Sequence, residues 1–433
     1  MDNKLPILIL EPALEQKREA AASRLFPEKL KGEAIPPALD LSEVKQHLKT
    51  IRQQARDNIA ALVSEFQTNL EKIYPGVRVT AASDSAAAVQ YITGIADDIR
   101  VISTNNSGAV TQELRPGLAA GGFTVTNSYL HEFEVAEKKI LDYWDLPRLL
   151  DREIGGTFEV AEQVNGLAEG TAQQYLALLG ANSVSAADGT ILFLEHFKNI
   201  HTDLQNAQKV VIVVGLDKIV ASRADASFQA RCMGTFGLEN ILLGVGPRAD
   251  EMPSIEEMSL PPAVGGRELH VIILDNGRGQ LPSSRFEDLF LCIGCRACNN
   301  HCPIRHSFSN TDYIWTPKNY LTQFLRGRSN SIDISLHCEA CRLECPVDID
   351  LPHLMWRAKE EYLKSHGISL SHRILGSPEL LAKIASPLAP LANFMMRIGL
   401  VRIIMEFITG IDRKTKLPTF HTRTFRKWYG KNG

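Results

Sequence analysis

The sequence contains no uninterrupted apolar run of the ~18–20 residues that a bilayer-spanning helix needs. The nearest approach, Ala385–Ile411, is broken by Arg397, Arg402 and Glu406. The opening residues, MDNKLPILILEPALEQKREA, hold only a short apolar stretch before charge returns. A secretory signal has a basic start, a longer apolar stretch and a small-residue cleavage site. The expectation is a cytoplasmic chain, held to a membrane, if at all, through partners. Charge of one sign is also missing: 47 Lys and Arg against 50 Asp and Glu leave a net charge of −3. That balance argues against nucleic acid as a partner. No G-x-G-x-x-G opens a helix, and no H-E-x-x-H, G-x-S-x-G or phosphate loop occurs. A nicotinamide or flavin site is therefore not legible, and no catalytic residue is assigned.

Cysteine is scarce as well, and its distribution is uneven. Seven of the eight cysteines fall between positions 292 and 345. A secreted disulfide framework would spread them through a small domain, whereas clustering at short, regular spacings points to metal. Two runs carry the signal, Cys292-x2-Cys295-x2-Cys298-x3-Cys302-Pro303 and Cys338-x2-Cys341-x3-Cys345-Pro346. The first matches the bacterial ferredoxin run, in which three thiolates wrap one cluster and the fourth ligates another. By the same logic Cys345, before Pro346, crosses back to the first cluster. Cluster one then takes Cys292, Cys295, Cys298 and Cys345, and cluster two takes Cys302, Cys338 and Cys341.

Cluster two is one thiolate short. Ser335 stands where a ferredoxin places the missing cysteine. The centre is thus either a [3Fe–4S] cluster or a [4Fe–4S] cluster with a non-cysteine fourth ligand. Ser335, His337, water or a partner's group could supply that ligand. A zinc ribbon needs only two separated C-x-x-C pairs and has no use for the extra cysteine or the two Cys-Pro pairs. Cys232 lies far from the runs and reads as a buried structural thiol.

Upstream, residues 1–76 read as a helical arm. Val44, Leu48, Ile51, Ile59, Leu62, Val63, Phe66 and Leu70 predict one long amphipathic helix over 41–72. From 77 to about 280 short β-branched runs alternate with helical segments, which predicts an α/β domain with a largely parallel sheet. VRVTAAS, RVISTNN, GGFTVTNS, NSVSAADGTILFLEH, KVVIVVGLDKIV and ELHVIILDNG are the strand candidates. SDSAAAVQYITGIADDI, AVTQELRPGLAA and GTAQQYLALLG read as helices. The wholly apolar run 210–214 should be a central strand. The cysteine module spans 281–365, and helices with a basic tail fill 366–433. Met395, Met396, Leu400, Ile403, Ile404 and Phe407 are expected to form core there, the alternative being an apolar face for a partner or a membrane surface. Ligands of open α/β sheets bind at the carboxyl ends of the strands, so Asp188, Glu195, Asn199, Asp217 and Lys218 are candidate pocket residues. The bland alternative makes Asp188-Gly189 a turn and Lys218 a surface cation.

These residues resemble a known family. ELHVIILDNGRGQL, followed by LCIGCRACNNHCPI and HCEACRLECPVDIDLP, looks like the iron–sulfur B subunit of the bacterial lactate-utilisation complex. VISTNNSGAVTQELRPGLAAGG, ADGTILFLEHFKNI and the tail LPTFHTRTFRKW are similar in order and spacing. The resemblance implies a lactate-utilisation (LUD) domain of the sugar-isomerase and CoA-transferase α/β kind, then an all-α ferredoxin-like module with two [4Fe–4S] clusters. It also implies oxidation of L-lactate to pyruvate together with A- and C-type subunits. Thr124–Phe133 differs from the family's acidic stretch, and the insert between the cysteine runs is closer to heterodisulfide-reductase small subunits. Two alternatives therefore stand beside lactate oxidation. One is an electron relay for a dehydrogenase, heterodisulfide-reductase-like or quinone-linked complex; the other is a non-catalytic iron–sulfur sensor or assembly protein.

Overall fold

A computed structural model describes residues 18, 41–127, 174–195, 199–237, 241–245, 256–257, 267–299, 302–304, 317–327, 335–368, 373–374, 376–417, 419–423 and 425–432. Apart from Arg18, the first 40 residues of the expected arm lie outside these residues, as does most of the insert between the cysteine runs. The chain divides into two compact units, Met1–Trp356 and Arg357–Gly433.

The first unit opens with α1 (Leu41–Asp57) and α2 (Ile59–Ile73). The sequence suggests one helix here, but Asn58 interrupts it. Its side-chain amide donates to the Gln54 carbonyl at 2.9 Å, competing with the helical ladder. Among the described residues the strands that follow are β1 (Arg78–Ala82), β2 (Val101–Thr104), β3 (Thr124–Asn127), β4 (Tyr175–Gly180), β5 (Ser183–Ser185), β6 (Ile191–Glu195), β7 (Lys209–Gly215), β8 (Ile219–Val220), β9 (Ile241–Val245), β10 (Glu256–Glu257) and β11 (Glu268–Leu274). Between them lie α3 (Ser85–Ile95), α4 (Arg115–Ala120), α5 (Asn199–Asn206) and α6 (Arg223–Gly237).

Six strands form a sheet in the order β1-β11-β7-β4-β2-β3, with every described pairing parallel. β7 is buried along its whole length between β11 and β4, as a continuous apolar run requires of a central strand. Residues one pleat apart, Leu176 and Leu178, Val211 and Val213, Ile272 and Leu274, pack on Ile92, Leu114 and Leu118. A smaller mixed sheet runs β10-β9-β6-β5-β8.

One expected helix is a strand. Within GTAQQYLALLG, Tyr175–Gly180 is β4, and all six of its residues are buried. A short apolar run has no period to separate helix from strand. Burial on both faces, between β2 and β7, decides it. Asp84 caps α3 by accepting from the Ala87 amide at 2.8 Å.

Among its described residues the cysteine-bearing segment links short helical stretches by irregular chain. It holds the short helices α7 (Pro317–Leu325) and α8 (Ala340–Leu343), and ends in α9 (Leu351–His366). The second unit contains α10 (Pro378–Ala385), α11 (Ala389–Met395), α12 (Gly399–Thr409) and α13 (Phe425–Asn432). The expected core residues here are not core. Met395, Leu400, Ile403, Ile404 and Phe407 are all exposed, because the polar side of α12 is the one its own chain covers.

Candidate metal centre

The thiols gather at two cavities. Cys292, Cys295, Cys298 and Cys345 line one of about 140 Å³. Cys302, Cys338 and Cys341 line a second, of about 30 Å³, together with Ser335 and His337. Cys302 thus parts from the other cysteines of its run, and Cys345 from its own. Cys232 is fully buried and lines neither.

The loop of the first cavity is held from three sides. Arg52 of α1, fully buried, donates to the Phe290 carbonyl at 2.8 Å and the Leu291 carbonyl at 3.3 Å. Its third bond goes to Gln229 Oε1 at 3.0 Å. Lys218 donates to the Ile293 carbonyl. Arg296 donates to the Asn106 carbonyl at 2.6 Å, tying the C-x-x-C turn to the end of β2. Gly237 closes α6 against the same turn, where a Cβ would stand 2.5 Å from the Cys295 carbonyl oxygen; only glycine allows that approach.

Burial governs the protonation of the thiols at this cavity. Burial, then mutual repulsion among the thiols, pushes Cys295 up to about 12 and Cys345 up to about 11. Cys298 is raised for the same reasons. Thiols so placed do not ionise alone, whereas iron makes the thiolate form favourable and releases the protons. Burial lowers Arg52 to about 10, so it stays charged at neutral pH. The Cys345 sulfur accepts from the Ile349 amide at 3.4 Å, the kind of bond that tunes cluster sulfur. Four cysteines round one cavity therefore fit an iron–sulfur cluster.

The second cavity is nearer solvent, with Cys338 exposed. Burial and the neighbouring Cys302 and Cys338 push Cys341 up to about 12. The Ser335 hydroxyl accepts from the His337 amide at 3.1 Å. His337 has φ +51°, and its ring stacks on Trp356 at 4.2 Å. Three thiols with a hydroxyl and an imidazole fit a cluster whose fourth position is not cysteine. Among the described residues no three His, Cys, Asp or Glu side chains converge on a single-ion site. α1 braces this run as well. Lys45 donates to the Leu343 carbonyl at 3.4 Å, and Lys49 pairs with Asp348 at 3.2 Å.

The first cavity extends to the carboxyl ends of β2, β4, β7 and β11, where a buried ion network stands. Arg278 donates to both oxygens of Glu113, at 2.6 and 3.0 Å, and to Asp217 at 2.5 Å. Asn276 donates to Glu113 at 2.6 Å, and Arg326 approaches it at 3.0 Å. Burial alone would raise the Glu113 carboxyl, but Arg278 and Arg326 overcome it and hold it at about 2. Asp217 is likewise lowered against burial, by Lys218 and Arg278. Asn276 and Gly277, at φ +47° and +86°, make the turn that aims Arg278 back under the sheet edge.

Of the candidates read from the sequence, Asn199, Asp217 and Lys218 line this cavity. Asp188 and Glu195 do not. Asp188 accepts from the Thr190 amide at 3.1 Å in its turn. Glu195 is buried and accepts from the His201 amide at 2.7 Å and ring Nδ1 at 2.6 Å. Sequence reasoning missed Arg52, Glu113, Arg278 and Arg296. The Asn-Gly pair before Arg278 was the available signal for one of them.

The LUD domain family matches residues 63–274, and the 4Fe-4S dicluster domain family matches residues 288–349. Lactate utilization protein B of Bacillus cereus (strain AH820) is 23% identical, covering 95% of this chain and 92% of the relative. Lactate utilization protein B 2 of Bacillus mycoides (strain KBAB4) is 24% identical, over 59% of this chain and 56% of the relative. Lactate utilization protein B of Bacillus cytotoxicus is 25% identical over the same shares. No solved structure matches.

Proposed function

This chain joins a LUD domain to a 4Fe-4S dicluster domain, and from that premise we propose that it is the electron-transfer subunit of a multi-subunit oxidoreductase acting on L-lactate or a related 2-hydroxy acid. The observation that carries the reading is the sorting of seven cysteines into groups of four and three at two cavities. The similarity to proteins named for lactate utilization supplies the substrate class. Cys292, Cys295, Cys298 and Cys345 would hold one cluster; Cys302, Cys338 and Cys341 would hold the other, with Ser335 or His337 at its remaining position. Bound there, each cluster supplies a site that takes up and gives back one electron.

The rest of the chain positions these groups. Arg52, Lys218 and Arg296 fix the backbone around the first loop. Buried Arg52 also places a permanent positive charge beside a centre that gains negative charge on reduction. The Glu113–Arg278–Asp217 network locks the ends of β7 and β11 beneath the loop. Substrate oxidation itself belongs to companion subunits of the A and C type, because electron carriers alone neither take up the hydroxyl proton nor break the C–H bond.

The experiment is to mix the anaerobically purified, cluster-loaded chain with its A- and C-type companions and add L-lactate. Bleaching of the visible cluster absorbance, with pyruvate formed, supports the reading. Bleaching by no 2-hydroxy acid, but by another complex's donor, would leave the chain an electron relay and remove lactate from the account.

A further inference from the structure

Among the described residues, the helices of the second unit carry an exposed apolar surface. In α12, Leu400, Ile403, Ile404, Phe407 and Ile408 recur at helical spacing and are all exposed, with Phe407 at 92%. The opposite face is occupied. Arg402 donates to the Arg413 carbonyl at 2.9 Å, and Arg413 pairs with Glu406 at 2.5 Å. The loop after α12 therefore covers its polar side and turns its apolar side outward. α10 and α11 repeat the pattern, with Leu380, Leu381 and Ile384 exposed on one and Leu391, Phe394 and Met395 on the other. In α13, Phe425, Trp428 and Tyr429 are exposed too.

The charge around this surface is one-sided. Residues 376–433 hold ten Lys and Arg against three Asp and Glu, a net +7 in a chain whose total is −3. Arg397, Arg413, Lys414, Lys416, Arg423 and Lys431 are exposed. These helices have 8, 7 and 11 residues, far short of the ~20 that span a bilayer. Short amphipathic helices with cations beside an apolar face, and Trp and Tyr nearby, have the composition of segments that lie in the plane of a membrane interface. A protein partner would need a shaped pocket to accept a side chain as prominent as Phe407. A bilayer needs only depth and negative headgroups.

We propose that α10–α12 and the basic tail seat the second unit on an anionic lipid surface, apolar faces at the acyl boundary and lysines and arginines among the headgroups. The attachment is direct, independent of companion subunits and of the clusters.

The test uses the full cluster-loaded chain with phosphatidylcholine vesicles made with and without phosphatidylglycerol. Co-sedimentation should rise about tenfold or more with the anionic lipid and fall as salt is raised. Phe407→Asp, at a side chain this exposed, should lose most of the binding while keeping cluster absorbance. Lys414→Glu with Lys416→Glu should lose the preference for anionic lipid. A chain that stays in the supernatant with both vesicles overturns the proposal. So does binding indifferent to Phe407→Asp and to salt. Self-association that Phe407→Asp abolishes, without vesicle binding, would make the face a protein contact and equally overturn it.

Discussion

Cys345 shares its cavity with Cys292, although it belongs to the other cysteine run and stands directly before Pro346. Each run therefore sends its last cysteine to the other's cavity. Cys345→Ser should cost the first cluster and spare the second. The readout is the spectrum of the anaerobic variant: the four-cysteine cluster's signal should vanish, while mild oxidation still yields the second cluster's response. Loss of the second cluster with the first intact would mean that ligation is not crossed.

The second cavity offers three thiols where the first offers four. Iron held without thiolate is the more weakly bound, since soft sulfur ligands are what these clusters select. Air should therefore strip one iron from the second cluster first, giving a [3Fe–4S]⁺ signal in electron paramagnetic resonance. Ser335→Cys should suppress that signal. His337→Ala should hasten its appearance if the imidazole is the fourth ligand, and leave its rate unchanged if Ser335 or water is.

Arg52 joins α1 to the two carbonyls that precede Cys292. Arg52→Gln should lower the first cluster's midpoint potential, on the order of 60 mV for a tenfold change in a one-electron equilibrium. Loss of the guanidinium also leaves buried carbonyls unmet, at a cost of about 1–3 kcal/mol each. Arg52→Lys keeps the charge but not the planar fork, so it should restore much of the potential and little of the stability. Potentiometric titration and thermal melts under argon separate the two effects.

Glu113 is ionised and buried between Arg278 and Arg326, with its carboxyl held at about 2. A carboxyl lowered in the folded state contributes stability in full above its unfolded value, near 4.5. That contribution is lost as pH falls towards 2. Glu113→Gln should therefore destabilise the protein by about 3 kcal/mol at neutral pH. The gap from wild type should narrow as pH falls below about 4.5. Comparing the two proteins at each pH cancels the acid loss of clusters common to both.

Much of this was legible in residue order. The strand–helix alternation gave the parallel sheet, the apolar run 210–214 gave its central strand, and the cysteine spacings match the sorting of the thiols at two cavities. What escaped did so for physical reasons. Tyr175–Gly180 carries no period, so only its burial between two strands identifies it. Arg52 looks like any charge on an amphipathic helix until Phe290 and Leu291 fold beneath it. Glu113 and Arg278 lie far apart in the chain and meet only where the sheet brings the ends of neighbouring strands together. The face of α12 looked like core because packing and exposed amphipathic helices share one periodicity.

Iron and acid-labile sulfide, measured on chain purified without oxygen, test the central claim most directly. The account predicts about seven to eight irons per chain, with sulfide in near-equal amount. Zinc in place of iron, with no acid-labile sulfide, would contradict it.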